Sequence, residues 1–500
     1  MPRPFAHSVT GMVRLGLPFA TALALGTAVA SSPAAAESLQ EAMGWAYAAN
    51  PGLKAEQSRY QATTQGVATA RSRFLPTVNG SFTAEHNAFD SLRNGTSDRS
   101  AFYSVGITAT QPLFQGFSAV HRLNQAHEES NSGRNQLLNA EQTLLFNTAD
   151  AYLQVMRDRT ILSLQRDYVG IVQQEVTAAQ ARYKSGDATR TDVEQASARL
   201  AEAQGNRDLA MGELEGSLAL YERLTGKEPG KLGWPAIPPH ISPATLDNAI
   251  EVALAQNPAI RAAISDARAA RYAARAAVGD MLPNVQLEST WSNGFRGNLA
   301  ERDEEDFRFG LRVTAPLFAG GRNVSAVRAT SYTASQQEYA LEDIRLTIRE
   351  SIIRAYKQER TASSRAEAAK RAIASNASAV NGLKVEYDGG QRSLLDVLNG
   401  QRELINSKVA QVRTRYDLEV ARFFLLASMG RLDPSHFGIT EDRPPEQRRL
   451  VPQLANWDLR LAPSETDMAA SQQQTASFLD TLSMPALRSS LAPETTTGSQ

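Results

Sequence analysis

The chain has 500 residues, of which 42% are hydrophobic and 21% charged, with a formal net charge of -1. That balance fits a folded protein and excludes the basic surplus of a duplex binder, so no nucleic-acid partner is expected. Cysteine is absent, which excludes disulfides, cysteine-zinc sites, thiol catalysis and a lipid-modified N-terminal cysteine together.

Residues 1–36 read as a secretory signal. Arg3 and Arg14 give a positive start, Leu15 to Ala30 supply an apolar run, and Ser32-Pro33-Ala34-Ala35-Ala36 ends in a small-x-small cleavage site. The run is short for a bilayer anchor. No later stretch is apolar for long enough to span as a helix, so a mature chain that crosses a membrane must do so with strands.

The rest of the chain is built on a duplication. Asn50-Pro51-Gly52-Leu53-Lys54-Ala55 recurs as Asn257-Pro258-Ala259-Ile260-Arg261-Ala262, and Leu75-Pro76-Thr77-Val78 as Leu282-Pro283-Asn284-Val285, both at an offset of 207. Pro112-Leu113-Phe114-x-Gly116 recurs as Pro316-Leu317-Phe318-x-Gly320 at an offset of 204, which then relates Tyr183 to Tyr387, Gly186 to Gly390, Asp192-Val193 to Asp396-Val397 and Gly226 to Gly430. The length change falls between Val78 and Pro112, where a loop is expected. The predicted organisation is a first repeat over 37–228, a linker over 229–246, a second repeat over 247–438 and a disordered periplasmic tail over 439–500. The linker is marked by five prolines between Pro229 and Pro243.

Strands are predicted at about 77–90 and 100–111, and again at about 284–294 and 305–315. Phe307, Phe309, Leu311 and Val313 alternate with Arg308, Gly310, Arg312 and Thr314, and Tyr103, Val105 and Ile107 alternate with Ser104, Gly106 and Thr108. Polar loops are expected from Asp90 to Ser100 and from about Asn293 to Glu304. Arg308 and Arg312 then line a barrel lumen if the aromatic face meets lipid; the plainer alternative is an ordinary amphipathic sheet. Strands of this length suit an outer-membrane barrel. Four of them cannot close one, because such barrels need eight or more strands and an open edge cannot face lipid. Either the strands lie outside a membrane or several chains share one barrel.

Long helices are predicted at about 117–184 and 189–226, and at about 320–387 and 393–430. Both regions lack proline, from Leu113 to Glu228 and from Leu317 to Asp433. Val155, Leu162, Val169, Val176 and Tyr183 recur every seven residues, with Ala366, Ile373, Val380 and Tyr387 at the second-repeat positions, a coiled-coil seam. The chain reverses at Ser185-Gly186-Asp187 and Asp388-Gly389-Gly390. It restarts with Thr189-x-x-Asp192 and Ser393-x-x-Asp396, both of capping-box form.

Leu-Pro before the first strand, Pro-Leu-Phe-x-Gly after the second and Tyr-x-x-Gly-x-x-x-x-x-Asp-Val at the reversal resemble the TolC family over about Ser38 to Gly438. The resemblance implies a mainly α fold with a small β part, built as two tandem repeats. Each repeat is a transmembrane β-hairpin followed by a long antiparallel helical hairpin. Three chains assemble into a twelve-strand barrel continued by an α-helical periplasmic tunnel. It further implies an outer-membrane exit duct for type I protein secretion or drug efflux, working with a periplasmic adaptor and an inner-membrane pump of the ABC or RND type. The absence of cysteine places the chain with the unlipidated channels. A structural coiled coil or adhesin is the rival class, and strand hairpins count against it.

By the same resemblance, Tyr387 and Arg392 tie the second-repeat helices to their neighbours at a periplasmic gate, with Asp192 as a partner. Asp396 forms an acidic ring at the constriction, and the family's second aspartate is Asn399 here, which implies a weaker field. Adaptor docking falls near Gly186 and Gly390. Read from the sequence alone, Asp192 and Asp396 are equally first-turn residues favoured by the helix dipole, and Tyr183 and Tyr387 equally seam residues. No catalytic constellation is present, the six histidines show no metal spacing, and no cofactor is expected.

Overall fold

The computed structural model describes residues 37–91, 96–235, 243–296 and 304–439. The expected signal segment, and the expected tail beyond residue 439, lie outside the described residues.

Each repeat begins with two helices beyond those expected from the sequence. These are α1 (Leu39–Ala49) and α2 (Pro51–Ser72) in the first repeat, and α5 (Leu246–Gln256) and α6 (Pro258–Gly279) in the second. The repeated Asn-Pro pair divides them. The Asn50 side chain accepts from the backbone N–H groups of Gly52 and Leu53, and Asn257 accepts from Ala259. The proline fills the first helical position, where no N–H is needed. The same asparagines close each repeat on itself: Asn257 Nδ2 donates to the Ser428 carbonyl at 2.9 Å, and Asn50 Nδ2 to that of Leu224.

Four strands come after the helices in their repeats: β1 (Thr77–Ser91), β2 (Thr96–Gln115), β3 (Asn284–Arg296) and β4 (Glu304–Thr314). They form one antiparallel sheet in the order β1-β2-β3-β4. The segment from Asp90 to Ser100, expected as a loop, is largely ladder: Asn87 pairs with Ser100 and Ser91 with Thr96. Main-chain pairing propagates in constant register without needing an apolar face, so polar residues extend the hairpin. The third and fourth strands likewise pair as far as Gly294 and Glu304.

Strand parity places Val78, Phe82, Val105, Ile107, Leu287, Trp291, Phe307, Phe309, Leu311 and Val313 on one face. Ser81, Thr83, Glu85, Ser104, Thr108, Glu288, Arg308 and Arg312 fall on the other. The apolar face is bare in the single chain, with Phe307, Phe309, Leu311 and Val313 all at least 60% exposed.

The helical hairpins are α3 (Ser118–Ser185) with α4 (Arg190–Thr225), and α7 (Arg322–Asp388) with α8 (Leu394–Ser428). With 68 residues, α3 runs roughly 100 Å at ~1.5 Å per residue. Among the described residues no helix is long and apolar enough to cross a membrane. The shorter helices cover different halves of the long ones. Next to the sheet, α2 packs on α3 through Thr63 and Tyr60 beside Gly133, and Arg59 donates to Gln136. Toward the far end, α4 and α8 pack on α3 through Ile161, Leu162, Ala210 and Val412.

The main core lies midway, where Met43, Leu145, Tyr152, Leu153, Tyr221, Phe423 and Leu426 meet. Here the start of the first repeat and the linker join the long helices. The Glu37 N–H donates to the Lys231 carbonyl, the Tyr152 hydroxyl shares its one proton between the Glu37 and Gly233 carbonyls and accepts from the Gly233 N–H, and Tyr221 bonds the Glu37 carboxylate.

Candidate gate at the hairpin tip

The far end of the bundle is where the two repeats converge. Gly186 and Gly390 end the long-helix turns at φ 87° and 72°, left-handed conformations that suit glycine. Beyond each, a capping box restarts the chain. Thr189 Oγ1 and Ser393 Oγ accept from the N–H groups of Asp192 and Asp396, and those carboxylates accept in return from the backbone and hydroxyl of the cap residue.

A small apolar cluster lies under the turns. Val176 and Ala179 from α3, Val193, Ala196 and Leu200 from α4, and Leu394 and Leu398 from α8 surround the half-buried ring of Tyr387. Tyr387 therefore continues the seam as packing predicts. Its first-repeat counterpart Tyr183 is 49% exposed in the single chain. The repeats are not equivalent at the tip.

The expected gate residues take distinct places around this cluster. Tyr387 lies under the Arg182 guanidinium, 4.6 Å from the ring centroid, and Arg182 also reaches Asp388 at 3.8 Å. Arg392 Nε donates to Glu386 Oε2 at 2.8 Å, so within one chain its carboxylate partner is Glu386 and it is not brought to Asp192. That bond, together with the nearby Asp396 charge, raises the Arg392 pKa. Hydrogen bonds from the Ser393 side chain and backbone, aided by Arg392, hold the Asp396 carboxyl below its ordinary value. Asp396 is thus both a capping residue and a persistently charged one.

Asn399 accepts from Arg199 Nη2 of α4 at 3.1 Å, which joins the two hairpins by a neutral acceptor. Sequence reasoning missed Arg182, Arg199 and Glu386. Arg182 is basic in a last helical turn, a general signal, but the partners of Arg182 and Arg199 lie in the other repeat, and Glu386 meets Arg392 across the turn. Among the described residues no group of His, Cys, Asp and Glu could hold a metal ion.

On the sheet, Arg308 Nε sits 2.6 Å from Asp306 and Arg312 Nε 2.7 Å from Glu288. All four lie on the polar face, opposite the aromatic residues.

Comparison with known proteins bears on the two-repeat architecture. The family model described as Outer membrane efflux protein matches residues 43–226 and 249–431, one match per repeat. The chain is 30% identical to outer membrane efflux protein BepC of Brucella suis over 353 residues, covering 70% of this chain and 77% of that protein. It is 28% identical to outer membrane protein TolC of Vibrio cholerae over 342 residues, 66% of this chain and 77% of that one. A crystal structure of a membrane protein from Pseudomonas aeruginosa superposes with a TM-score of 0.71 at 19% identity, over 78% of this chain and 90% of the other, which shows the shared fold. With both repeats matched, the chain belongs to the outer membrane efflux protein family and is an outer-membrane export duct.

Proposed function

We propose that the duct is a homotrimer whose twelve strands form one barrel and whose helices form one periplasmic tunnel, gated at the hairpin tip by Tyr387, Arg392, Asp396 and Asp192. The observation that carries this reading is the incomplete surface of the single chain. Its sheet is open at β1 and β4, and an open edge cannot stand in lipid. Tyr332, Tyr339, Leu346 and Ile353, at heptad spacing along α7, are 75%, 78%, 65% and 37% exposed. At the repeat-equivalent positions of α3, Gln142 and Ala149 are buried. A second copy supplies the cover that the first repeat finds within its own chain.

In this assembly the aromatic face meets outer-membrane lipid, and Arg308 and Arg312 line the lumen. The Gly186 and Gly390 turns meet a periplasmic adaptor, and an inner-membrane pump of the ABC or RND type delivers protein or small-molecule cargo. The tip residues act as a bistable element: links such as Arg392–Glu386 and Arg182–Tyr387 favour the closed arrangement, and a partner that binds the loosened one shifts the population.

The test is single-channel recording in planar bilayers. Arg392→Ser with Tyr387→Ala, which removes both the Glu386 link and the ring under Arg182, raises conductance over the native channel; unchanged conductance removes these residues from the gate.

A further inference from the structure

We propose that, where β4 of one copy meets β1 of the next in the register of the internal repeat, Glu85 of the next copy enters between Arg308 and Arg312 to form an ion cluster across that seam. The proposal rests on the multi-copy reading above and specifies its contact.

Within one chain the repeats already meet at such a seam. The second strand of the first repeat, β2, pairs antiparallel with the first strand of the second, β3: Val105 faces Asn293, Gly106 faces Ser292 and Ile107 faces Trp291. The duplication carries β2 forward onto β4 by 204 residues and β3 back onto β1 by 207. Transposed in this way, Phe309 faces His86, Gly310 faces Glu85 and Leu311 faces Ala84 of the next copy. The register keeps each face continuous. Leu311 and Ala84 both lie on the apolar side, and Arg308, Arg312 and Glu85 all lie on the polar side.

Glycine recurs at the equivalent position of both strands. A Cβ added to Gly106 would press on Ser81 Oγ of its own hairpin at 3.1 Å and meet the Ser292 Cβ across the internal seam at 3.7 Å, an ordinary contact. At Gly310 nothing stands within 4 Å of the same position, so the space opposite Glu85 is open. Arg308 and Arg312 border that space. Each is held through Nε by a carboxylate of its own chain, yet their side chains remain 80% and 63% exposed. A carboxylate opposite Gly310 lies on the diagonal from both, within reach of long side chains. A guanidinium has donors to spare for a second carboxylate.

The internal seam carries only Ser104, Thr108 and Ser292 at the equivalent positions. Charge is therefore concentrated where separate copies must find each other, the arrangement that favours the correct partner and register.

The experiment uses the full chain in the outer membrane. Its lack of cysteine gives a clean background. Directly opposed residues of an antiparallel pair have Cα atoms about 4.5–5.5 Å apart, inside the disulfide range. In a single chain β1 and β4 are three strand spacings apart, about 14 Å, so any bridge joins two copies. Ala84→Cys with Leu311→Cys should give covalent oligomers on oxidation, severalfold more than the two-residue slips Phe82→Cys or His86→Cys with Leu311→Cys. A slip pair that links as well or better overturns the register. For the ion cluster, Glu85→Arg lowers the temperature at which the detergent-resistant oligomer dissociates, and adding Arg312→Glu recovers at least half of the loss. An unchanged dissociation temperature in Glu85→Arg, or no recovery, overturns the cluster. An unmutated chain that is monomeric in the membrane sinks the multi-copy reading itself, a result separable from both.

Discussion

The Arg182 guanidinium sits 4.6 Å from the Tyr387 ring centroid, so the last turn of the first repeat's long helix rests on the last turn of the second's. This is a contact between repeats, at the one end of the bundle where two hairpin turns meet. A cation over an aromatic face contributes about 0.5–1 kcal/mol at an exposed site. Phenylalanine keeps the ring and so keeps the stack, whereas alanine removes it. Arg182→Ala and Tyr387→Ala should each raise open probability in planar bilayers, and the double variant should exceed neither by much. The interaction energy in that double-mutant cycle is expected at about 0.5–1 kcal/mol. Additive effects would show that the two side chains act separately.

Asp396 stays ionised because Ser393 and Arg392 lower its pKa below 3.8. Its charge is present above that value and is lost only as the pH falls below it. Cation selectivity, measured as reversal potential in a salt gradient, should therefore be flat from neutral pH down to about pH 4. Asp396→Asn should weaken it throughout. Ser393→Ala should move the loss of selectivity to higher pH, since the leading cause of the lowered pKa is removed.

His121, in the first turn of α3, is 7% exposed and stacks on Tyr272 at 6.3 Å. Among the described residues its Nδ1 has no hydrogen-bond partner. Burial, and then the nearby Arg275 charge, push its pKa from 6.5 down to about 4. The native state thus resists a proton that the unfolded chain accepts. Stability is whole above pH 6.5 and declines as the pH falls toward 4, by about 3 kcal/mol in all. His121→Leu should flatten this part of the urea-midpoint profile. A profile identical to the native one would place the acid sensitivity elsewhere.

In the main core, Tyr152 and Tyr221 keep their protons above the ordinary tyrosine value of 10.0, Tyr152 through burial and Tyr221 through burial and its bond to Glu37. Their contribution is full below pH 10 and is lost as the pH rises beyond it. Tyr152→Phe removes the one proton that the Glu37 and Gly233 carbonyls share and the acceptor of the Gly233 N–H, at a cost of about 1–3 kcal/mol at neutral pH. Thermal unfolding in detergent should show a lowered midpoint together with a weaker alkaline decline.

Gly116 and Gly279 meet where the sheet gives way to the helices. The backbone at Gly116 has φ 59°, and a Cβ there would strike the Gly279 carbonyl and approach Leu282 at 2.8 Å. Gly116→Ala combines left-handed strain with a backbone clash, so it should destabilise by more than about 2 kcal/mol. Gly320→Ala, at the equivalent position with nothing within 4 Å in the single chain, should cost only the conformational strain, about 1–2 kcal/mol. Urea titration of the two variants side by side decides the comparison.

Local chemistry made much of this protein legible from its sequence. The duplication, the period of two in the strands, the period of seven in the long helices and the capping boxes at Thr189 and Ser393 are short-range patterns. Each is set by how neighbouring residues share a face or satisfy a helix end. The lack of a spanning apolar stretch after the signal segment, together with four strands, already required a shared barrel if the strands lie in a membrane. The short helices before each strand pair went unread because a proline divides each stretch into two pieces, so neither shows one long unbroken pattern, although Asn50-Pro51 and Asn257-Pro258 carried a cap-and-proline signal. The continuation of the first hairpin to Ser91 and Thr96 was hidden by polar side chains that main-chain pairing ignores.

Which groups meet at the tip was fixed by packing in three dimensions. Arg182 finds Tyr387 and Arg199 finds Asn399 because the two hairpins lie side by side, bringing residues some 200 positions apart within bonding distance. Arg392 finds Glu386 because the turn at Gly390 folds the chain back on itself. Such contacts depend on the rotation and offset of packed helices and on the path of a turn, which residue spacing within one helix does not encode. The same packing makes the two repeats unequal, burying half of the Tyr387 ring while Tyr183 stays exposed.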